Sequence, residues 1–468
     1  MNKTTTIKNL SGYFQKHRQA FFAGLCLFFL FSNKAIAQDP YILTVFDQIL
    51  FYDGYAANVS EPVPDGVIRH SNSLYAKKLT AEQLAQFGNK LTMNVTIKAS
   101  CDNYDRIGNI NLALVPKDAT SYNPSEVQRL ELGRYITPFM NKNVQPDEVP
   151  YTYEIDNVAQ IFKDTQLTSE FDLWVELELF GVPYAANTQV AGCSGRNDVF
   201  FGTLEFVSET DASVNYSNNF LKPLSFKYEM RDYNLSGTDV LNETVRTINF
   251  TLDEALPNAK LYLITSSHGA GSGGEEYVRR QHFVYVDGVQ VLTYKPGGVS
   301  CGPYRRYNTQ GNCIYNNCNT GAPLANTDAA WSWNNWCPGN SIPIREISLG
   351  NLSAGAHSFK IDVPDATFNG NDGMIPMSVY LQSYDTVLST DTFSAESVSL
   401  YPNPVLNTAV INAVNQEVKE FTVVSITGQV VSKGTSNNVD MSALKSGMYI
   451  VKILFSNDEV VVKKVIKS

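Results

Sequence analysis

Histidine is scarce, at five in 468 residues, and no two cysteines stand in paired C-x-x-C spacing. Structural and catalytic zinc sites draw on such ligands in closely spaced sets, so no metal and no cofactor is expected. No serine or cysteine nucleophile signature stands out. Helical periodicity is also sparse: only Thr80 to Phe87 and the run from Asn157 to Phe162 read as helical turns. Beyond the first thirty or so residues no apolar run is long enough to span a bilayer, so stable membrane insertion is not expected. Positive charge is in deficit, with a net charge of −10, which argues against nucleic acid or an anionic membrane as partner. A G-x-G-x-x-G string occurs within His268-Gly-Ala-Gly-Ser-Gly-Gly274, but strand-like segments surround it. A dinucleotide site needs that string to open a helix, so a cleft-edge loop is the better reading.

The two ends carry addresses. Lys3, Lys8, Lys16 and Arg18 precede an apolar core, Ala20 to Phe31, and Ala35-Ile-Ala37 supplies a small-residue cleavage site. This is a secretory leader, 1–37, with the mature chain expected to begin at Gln38. The leader holds five Lys/Arg and no acid, so the mature net charge is −15. Of seven cysteines, Cys26 lies in the leader, and the remaining six suit a disulfide framework formed after export. At the other end, Leu400-Tyr-Pro-Asn-Pro404, Gly447-Met-Tyr-Ile-Val451 and the basic terminus Lys463-Lys-Val-Ile-Lys467 occur in order. They resemble the C-terminal sorting domain of type IX secretion substrates, a small β-sandwich. That resemblance implies the type IX machinery as a partner and a secreted or cell-surface location, reached through the periplasm.

Between the ends, short alternating segments are separated by Gly, Asn, Asp and Pro turns, the pattern of an all-β sandwich protein. The expected division is 38–211 and 212–388, a Ser/Thr-rich linker 389–396, and the sorting unit 397–468. Aromatic residues reach 12% with Tyr far outnumbering Trp, which suits a β-rich surface that contacts sugars.

Five segments carry the chemistry. Leu91, Met93, Val95 and Ile97 alternate with polar residues as a half-buried strand, which delivers Cys101-Asp-Asn-Tyr-Asp105-Arg106 onto a loop. The cation at Arg106 is expected to favour the charged form of Asp105. Gly133-Arg-Tyr-Ile-Thr-Pro138 follows, then Gly274-Glu-Glu276-Tyr277, then Asn335-Trp336-Cys337-Pro-Gly339. Along Phe171 to Phe180, Trp174, Glu176, Glu178 and Phe180 share one strand face. Taken in order, these pieces resemble the peptide-N-glycosidase F family over about 91–207 and 259–383. The resemblance implies two adjacent antiparallel jelly-roll β-sandwiches with the active site in the cleft between them.

It also implies roles. Asp105 matches the primary catalytic carboxylate, Glu276 an acid reaching across from the second sandwich, and Glu176 a third important acid. Arg106 and Arg280 become candidate oxyanion or substrate contacts, and His282 is expected to be a hydrogen-bonded strand histidine. Trp331, Trp333 and Trp336 read equally as a sugar-stacking cluster or as packing beside a Cys301–Cys337 bridge that the family carries. Cys313 and Cys318 lie inside that loop, close enough to pair. Cys101 then falls to Cys193, a pairing that departs from the family. Three further departures concern the cleft lining: Glu178 and Ala270 stand where the family has tryptophan, and Trp333 where it has arginine.

The implied activity is hydrolysis of the side-chain amide of glycosylated asparagine, releasing the N-glycan as a glycosylamine and leaving aspartate. The substrates would be N-glycosylated peptides or glycoproteins and the enzyme a monomer. A glycan-binding jelly roll without turnover is the alternative, favoured by the altered lining. A protease or glycosidase on a similar scaffold is a weaker one.

Overall fold

A computed structural model describes residues 39–231, 244–269, 274–310, 335–368, 373–388, 398–413, 417–456 and 460–468. The leader, Ala270, Cys313, Cys318, Trp331, Trp333 and the linker 389–396 lie outside the described residues.

The first sandwich is built from β1 (Tyr41–Tyr52), β2 (Val67–Ser71), β3 (Leu74–Lys78), β4 (Lys90–Ala99), β5 (Ile107–Pro116), β6 (Gln128–Ile136), β7 (Glu148–Glu154), β8 (Phe171–Leu179) and β9 (Asp198–Glu209). One sheet runs β1-β9-β4-β7 and the other β6-β5-β8-β3-β2. In β4 every second residue is buried, and Met93, Val95 and Ile97 are fully enclosed between the sheets. The period-two pattern of the sequence is therefore the core-facing side of a strand.

The second sandwich comprises β10 (Val214–Met230), β11 (Val245–Leu252), β12 (Leu256–Thr265), β13 (His282–Val286), β14 (Val289–Tyr294), β15 (Ser341–Ile342), β16 (Arg345–Leu352), β17 (Gly355–Asp362) and β18 (Ile375–Leu388). Its sheets run β10-β18-β12-β16 and β11-β17-β13-β14. Among the described residues, setting aside the edge strand β2 and the short β15, each sandwich has eight strands. In both, the first, eighth, third and sixth form one sheet and the second, seventh, fourth and fifth the other, which is the jelly-roll order. Asp287 and Gly288 both take positive φ between β13 and β14, the two-residue hairpin turn that Asp-Gly favours.

The two sandwiches are joined through backbone and side chains. β15 pairs with the edge of β6, Ser341 opposite Tyr135 and Ile342 opposite Arg134. Asn157 donates to the Tyr380 hydroxyl and to Gln382, each at 2.9 Å. Tyr262 and Tyr380, from the second sandwich, join the apolar core of the first.

Among the described residues, helix is confined to short turns. Ala81–Gln86 starts at Thr80 with a capping box closed by Gln83, and Asp156–Phe162 packs against the first core. Thr165–Glu170 and Ala186–Gln189 are helical as well, although the sequence marks only the first two. Thr165–Glu170 is held by Asp164, whose side chain accepts from Leu167 N, a capping signal too short to register as periodicity.

The chain divides into two compact units. The first holds both large sandwiches, and the second contains Ala212–Asn218 and Asp385–Ser468. The second unit has its own pair of sheets: Val398–Tyr401, Thr408–Ala413 and Asn438–Asp440 in one; Val430–Gly434, Val418–Ser425, Gly447–Phe455 and Val460–Lys467 in the other. Ile411, Phe421, Val451, Ile453 and Phe455 form its buried centre.

Candidate active site

The loop between β4 and β5 is fixed at both ends before it presents any chemistry. The Cys101–Cys193 disulfide ties its start to the segment after the helix Ala186–Gln189, and Asn103 donates to Gln189 at 2.7 Å. Asp102 is fully buried and accepts from the backbone N–H groups of Tyr104 and Val182 at 3.0 and 2.7 Å. It also takes Arg106 Nε at 2.6 Å and Nη2 at 3.2 Å. Thr137 closes the far side, its hydroxyl oxygen accepting from Arg106 N and its N–H donating to Arg106 O. Buried ion pairs of this kind hold geometry because every lone pair is satisfied.

Asp105 projects from that frame into a cavity of about 420 Å³ lined from both sandwiches. Glu276, Arg106, Glu178, Lys227, His268 and Trp336 line it as well. Burial and the negative charge of Glu276 push the Asp105 carboxyl up to about 7, against the pull of Arg106. The expectation that Arg106 keeps Asp105 charged is therefore corrected. The guanidinium faces Asp102, its effect on Asp105 is opposed by a second carboxylate, and desolvation outweighs it. Glu276 is oriented by the Gly269 N–H at 3.4 Å and by the Tyr277 hydroxyl.

Other expected residues fall elsewhere. Glu176 is enclosed beside the cavity rather than lining it: Arg129 reaches it at 2.5 Å, Asn111 at 3.0 Å and the Tyr122 hydroxyl at 2.7 Å. Of these two strand acids, the one that lines the cavity is Glu178. Burial opposes its ionisation, but Lys227 at 2.7 Å, with Arg129 and Asn111, holds its carboxyl below the usual range. Phe180, two residues on, lines the cavity too. Residues two apart on a strand share a face.

Arg280 is likewise removed from the cavity. It makes a fork to the buried Glu275, both contacts at 3.0 Å, and it bonds Thr367. His282 is buried on β13 with Nδ1 near the Arg280 carbonyl, and burial lowers its pKa to about 4. Trp336 is packed in the interior and also borders the cavity. It packs with Ile136, Ile264 and Ile342, its Nε1 donates to the Ser267 carbonyl, and it lines the cavity. The Cys301–Cys337 disulfide forms beside it.

Tyr55, Lys227 and His268 are among the cavity residues that had no sequence signal. Tyr55, largely exposed, stands edge-on to Phe180 with centroids 5.1 Å apart. Gly54 permits this approach, since a Cβ there would fall 2.5 Å from the Phe180 ring. Lys227 takes φ of 45° within β10, a conformation uncommon for a residue with a side chain. His268 appeared only within a glycine-rich string.

Two family models match the segments that form the two large sandwiches. The model described as peptide-N-glycosidase F, N terminal, matches residues 42–194, and the one described as peptide-N-glycosidase F, C terminal, matches 237–382. Together they cover well over half the chain. The chain belongs to the peptide-N-glycosidase F family. Residues 399–468 match a secretion system C-terminal sorting domain, so this family member is a type IX secretion substrate, exported to the cell surface or beyond. No curated protein matches the sequence. Two crystal forms of PNGF-II are similar in fold, at TM-scores of 0.52 and 0.51 and 20% and 19% identity, with 74% of this chain covered. The chain spans 65% of the length of those structures. Likeness to PNGase F, described as a glycosylasparaginase from Flavobacterium meningosepticum, is looser: TM-score 0.44 and 14% identity, over 75% of this chain and 100% of that one.

Proposed function

We propose that this family member is a peptide-N4-(N-acetyl-β-glucosaminyl)asparagine amidase acting on N-glycosylated peptides or glycoproteins. The observation that carries this reading is Asp105, a carboxyl poised at about 7 beside Glu276 in a cleft lined by both sandwiches. A general base works best when its pKa lies near the operating pH. Asp105 takes a proton from water as the water adds to the Asn side-chain carbonyl carbon. Arg106 commits Nε and Nη2 to Asp102, and its Nη1 is the donor for the developing oxyanion. The C–N bond then breaks, and Asp105 returns the proton to the departing nitrogen. The products are an aspartate peptide and a glycosylamine.

Glu276 raises the proton affinity of Asp105 and faces the sugar side of the cleft. Glu178, steadied by Lys227, accepts from sugar hydroxyls, while Phe180 and Tyr55 offer ring faces to sugar C–H groups. The test is mass spectrometry of an N-glycopeptide incubated with purified protein. Asp105→Asn keeps the side-chain shape but removes the base. Release should fall by about 10²–10⁴ while glycopeptide binding persists. Wild-type protein that binds glycopeptide and never converts Asn to Asp would establish the binding-module alternative instead.

A further inference from the structure

We infer that His268 is a tautomer-locked, uncharged hydrogen-bond donor whose Nδ1–H binds an amide carbonyl oxygen of the substrate. This rests on the amidase reading above and adds a residue to its site.

The tautomer follows from counting donors. Arg134 is fully buried and carries donors only; its Nη1 donates to Ser266 Oγ at 2.7 Å and to the Pro376 carbonyl at 2.9 Å. Among the described residues Ser266 Oγ has one other hydrogen-bond partner, His268 Nε2, at 2.7 Å. If Nε2 carried the proton, the Ser266 hydroxyl hydrogen would be left with no acceptor in a buried site, a costly arrangement. With Ser266 donating to Nε2, every group in the chain Arg134–Ser266–His268 is satisfied, and the imidazole proton resides on Nδ1. Burial and the nearby Arg134 charge also hold the ring neutral, lowering its pKa to about 3.

The ring is held still as well as held neutral. His268 and Met374 exchange both backbone hydrogen bonds at 2.9 Å, and the Trp336 ring lies 5.8 Å away. Although His268 is more than nine-tenths buried, it lines the cavity. Among the described residues Nδ1 has no hydrogen-bond partner, and it is not fully enclosed, so it is open to the cavity that the ring lines. Next to it, Gly269 N points at Glu276, so this donor sits beside the acid that faces the sugar. A donor that never becomes cationic suits a neutral carbonyl and does not neutralise the carboxylates that share the cavity.

Two carbonyls of the same chemistry are within the substrate: the scissile Asn amide and the acetamido group of the first sugar. His268→Gln can still accept from Ser266 through Oε1 but removes the donor at the Nδ1 position; His268→Asn restores a donor there. Relative to wild type, kcat/KM should fall roughly 10- to 100-fold in His268→Gln and recover in part in His268→Asn. A loss confined to kcat assigns the scissile carbonyl. A rise in KM with weakened binding of free N,N′-diacetylchitobiose assigns the acetamido carbonyl. In ¹⁵N spectra of the histidine-labelled full chain, the ring whose signals vanish in His268→Gln should be protonated at Nδ1 and neutral down to about pH 4, and Ser266→Ala should release it to the Nε2–H form. Glycan release by the wild type, together with an Nε2–H ring or unchanged kinetics in a folded His268→Gln, overturns the assignment. Loss of chitobiose binding in that variant, where the wild type binds but releases nothing, upholds the donor and defeats the amidase reading.

Discussion

At the scale of single residues, the site depends on which neighbour a charged group faces. Asp105 and Arg106 are adjacent in sequence, and adjacency suggested that the cation dominates. Consecutive loop residues point in different directions, however, and Arg106 is taken by Asp102, four positions earlier. The partner that matters, Glu276, arrives from the other sandwich, so no local pattern could announce its effect. The consequence can be measured through pH. Burial and Glu276 raise the Asp105 carboxyl to about 7, so the basic form exists above that pH and disappears as pH falls through it. kcat/KM should therefore rise along an acid limb near 7, a value that belongs to the coupled pair rather than to one carboxyl. Glu276→Gln removes a charge that favours protonation of Asp105. Its limb should move to lower pH, even as its maximal rate drops. A limb that stays at 7 in the variant would mean that desolvation alone sets the proton affinity.

At the scale of strands, periodicity identified faces but not positions along them. The alternation in β4 and the shared face of Glu176 and Glu178 were legible, because side-chain direction in a strand follows sequence spacing. Which of the two acids enters the cleft depends on what covers the sheet. Tyr122 and Arg129 enclose Glu176, while Lys227 from β10 reaches Glu178. The same holds for Arg134 on β6. The sequence places it in a recognisable segment, yet its work is long-range. It pairs through two nitrogens with the fully enclosed Glu131, at 2.8 and 2.7 Å, and spans to Ser266 and Pro376 in the second sandwich. Arg134→Met would leave Glu131 buried without its counter-ion, at a cost of about 3–5 kcal/mol. Adding Glu131→Gln should recover part of that loss. Denaturant unfolding of the single and double variants reads the difference, and equal destabilisation in both would show that the charge pairing is not what Arg134 contributes.

At the scale of the whole molecule, the jelly-roll order recurs in both large sandwiches, and short strands punctuated by turn residues made the all-β class legible in advance. The cleft entered only through the family resemblance and not through periodicity or composition, because it arises from contacts such as β15 on β6 whose partners lie about two hundred residues apart. The sorting unit is the converse case, since its signals are local and contiguous. Its buried residues, among them Ile411, Phe421, Val451 and Phe455, pack into a core of their own, separate from the cores of the two large sandwiches. A unit that buries its own apolar face contributes little to the cores of its neighbours. Deleting residues 397–468 should then leave the cooperative melt of the large sandwiches and their rate of glycan release within error of the full chain, measured on purified protein. In the native host the truncated chain should accumulate in the periplasm, because the export address has been removed while the fold has not. A truncated protein that loses its cooperative transition would place part of the tail within the structural unit that carries the site.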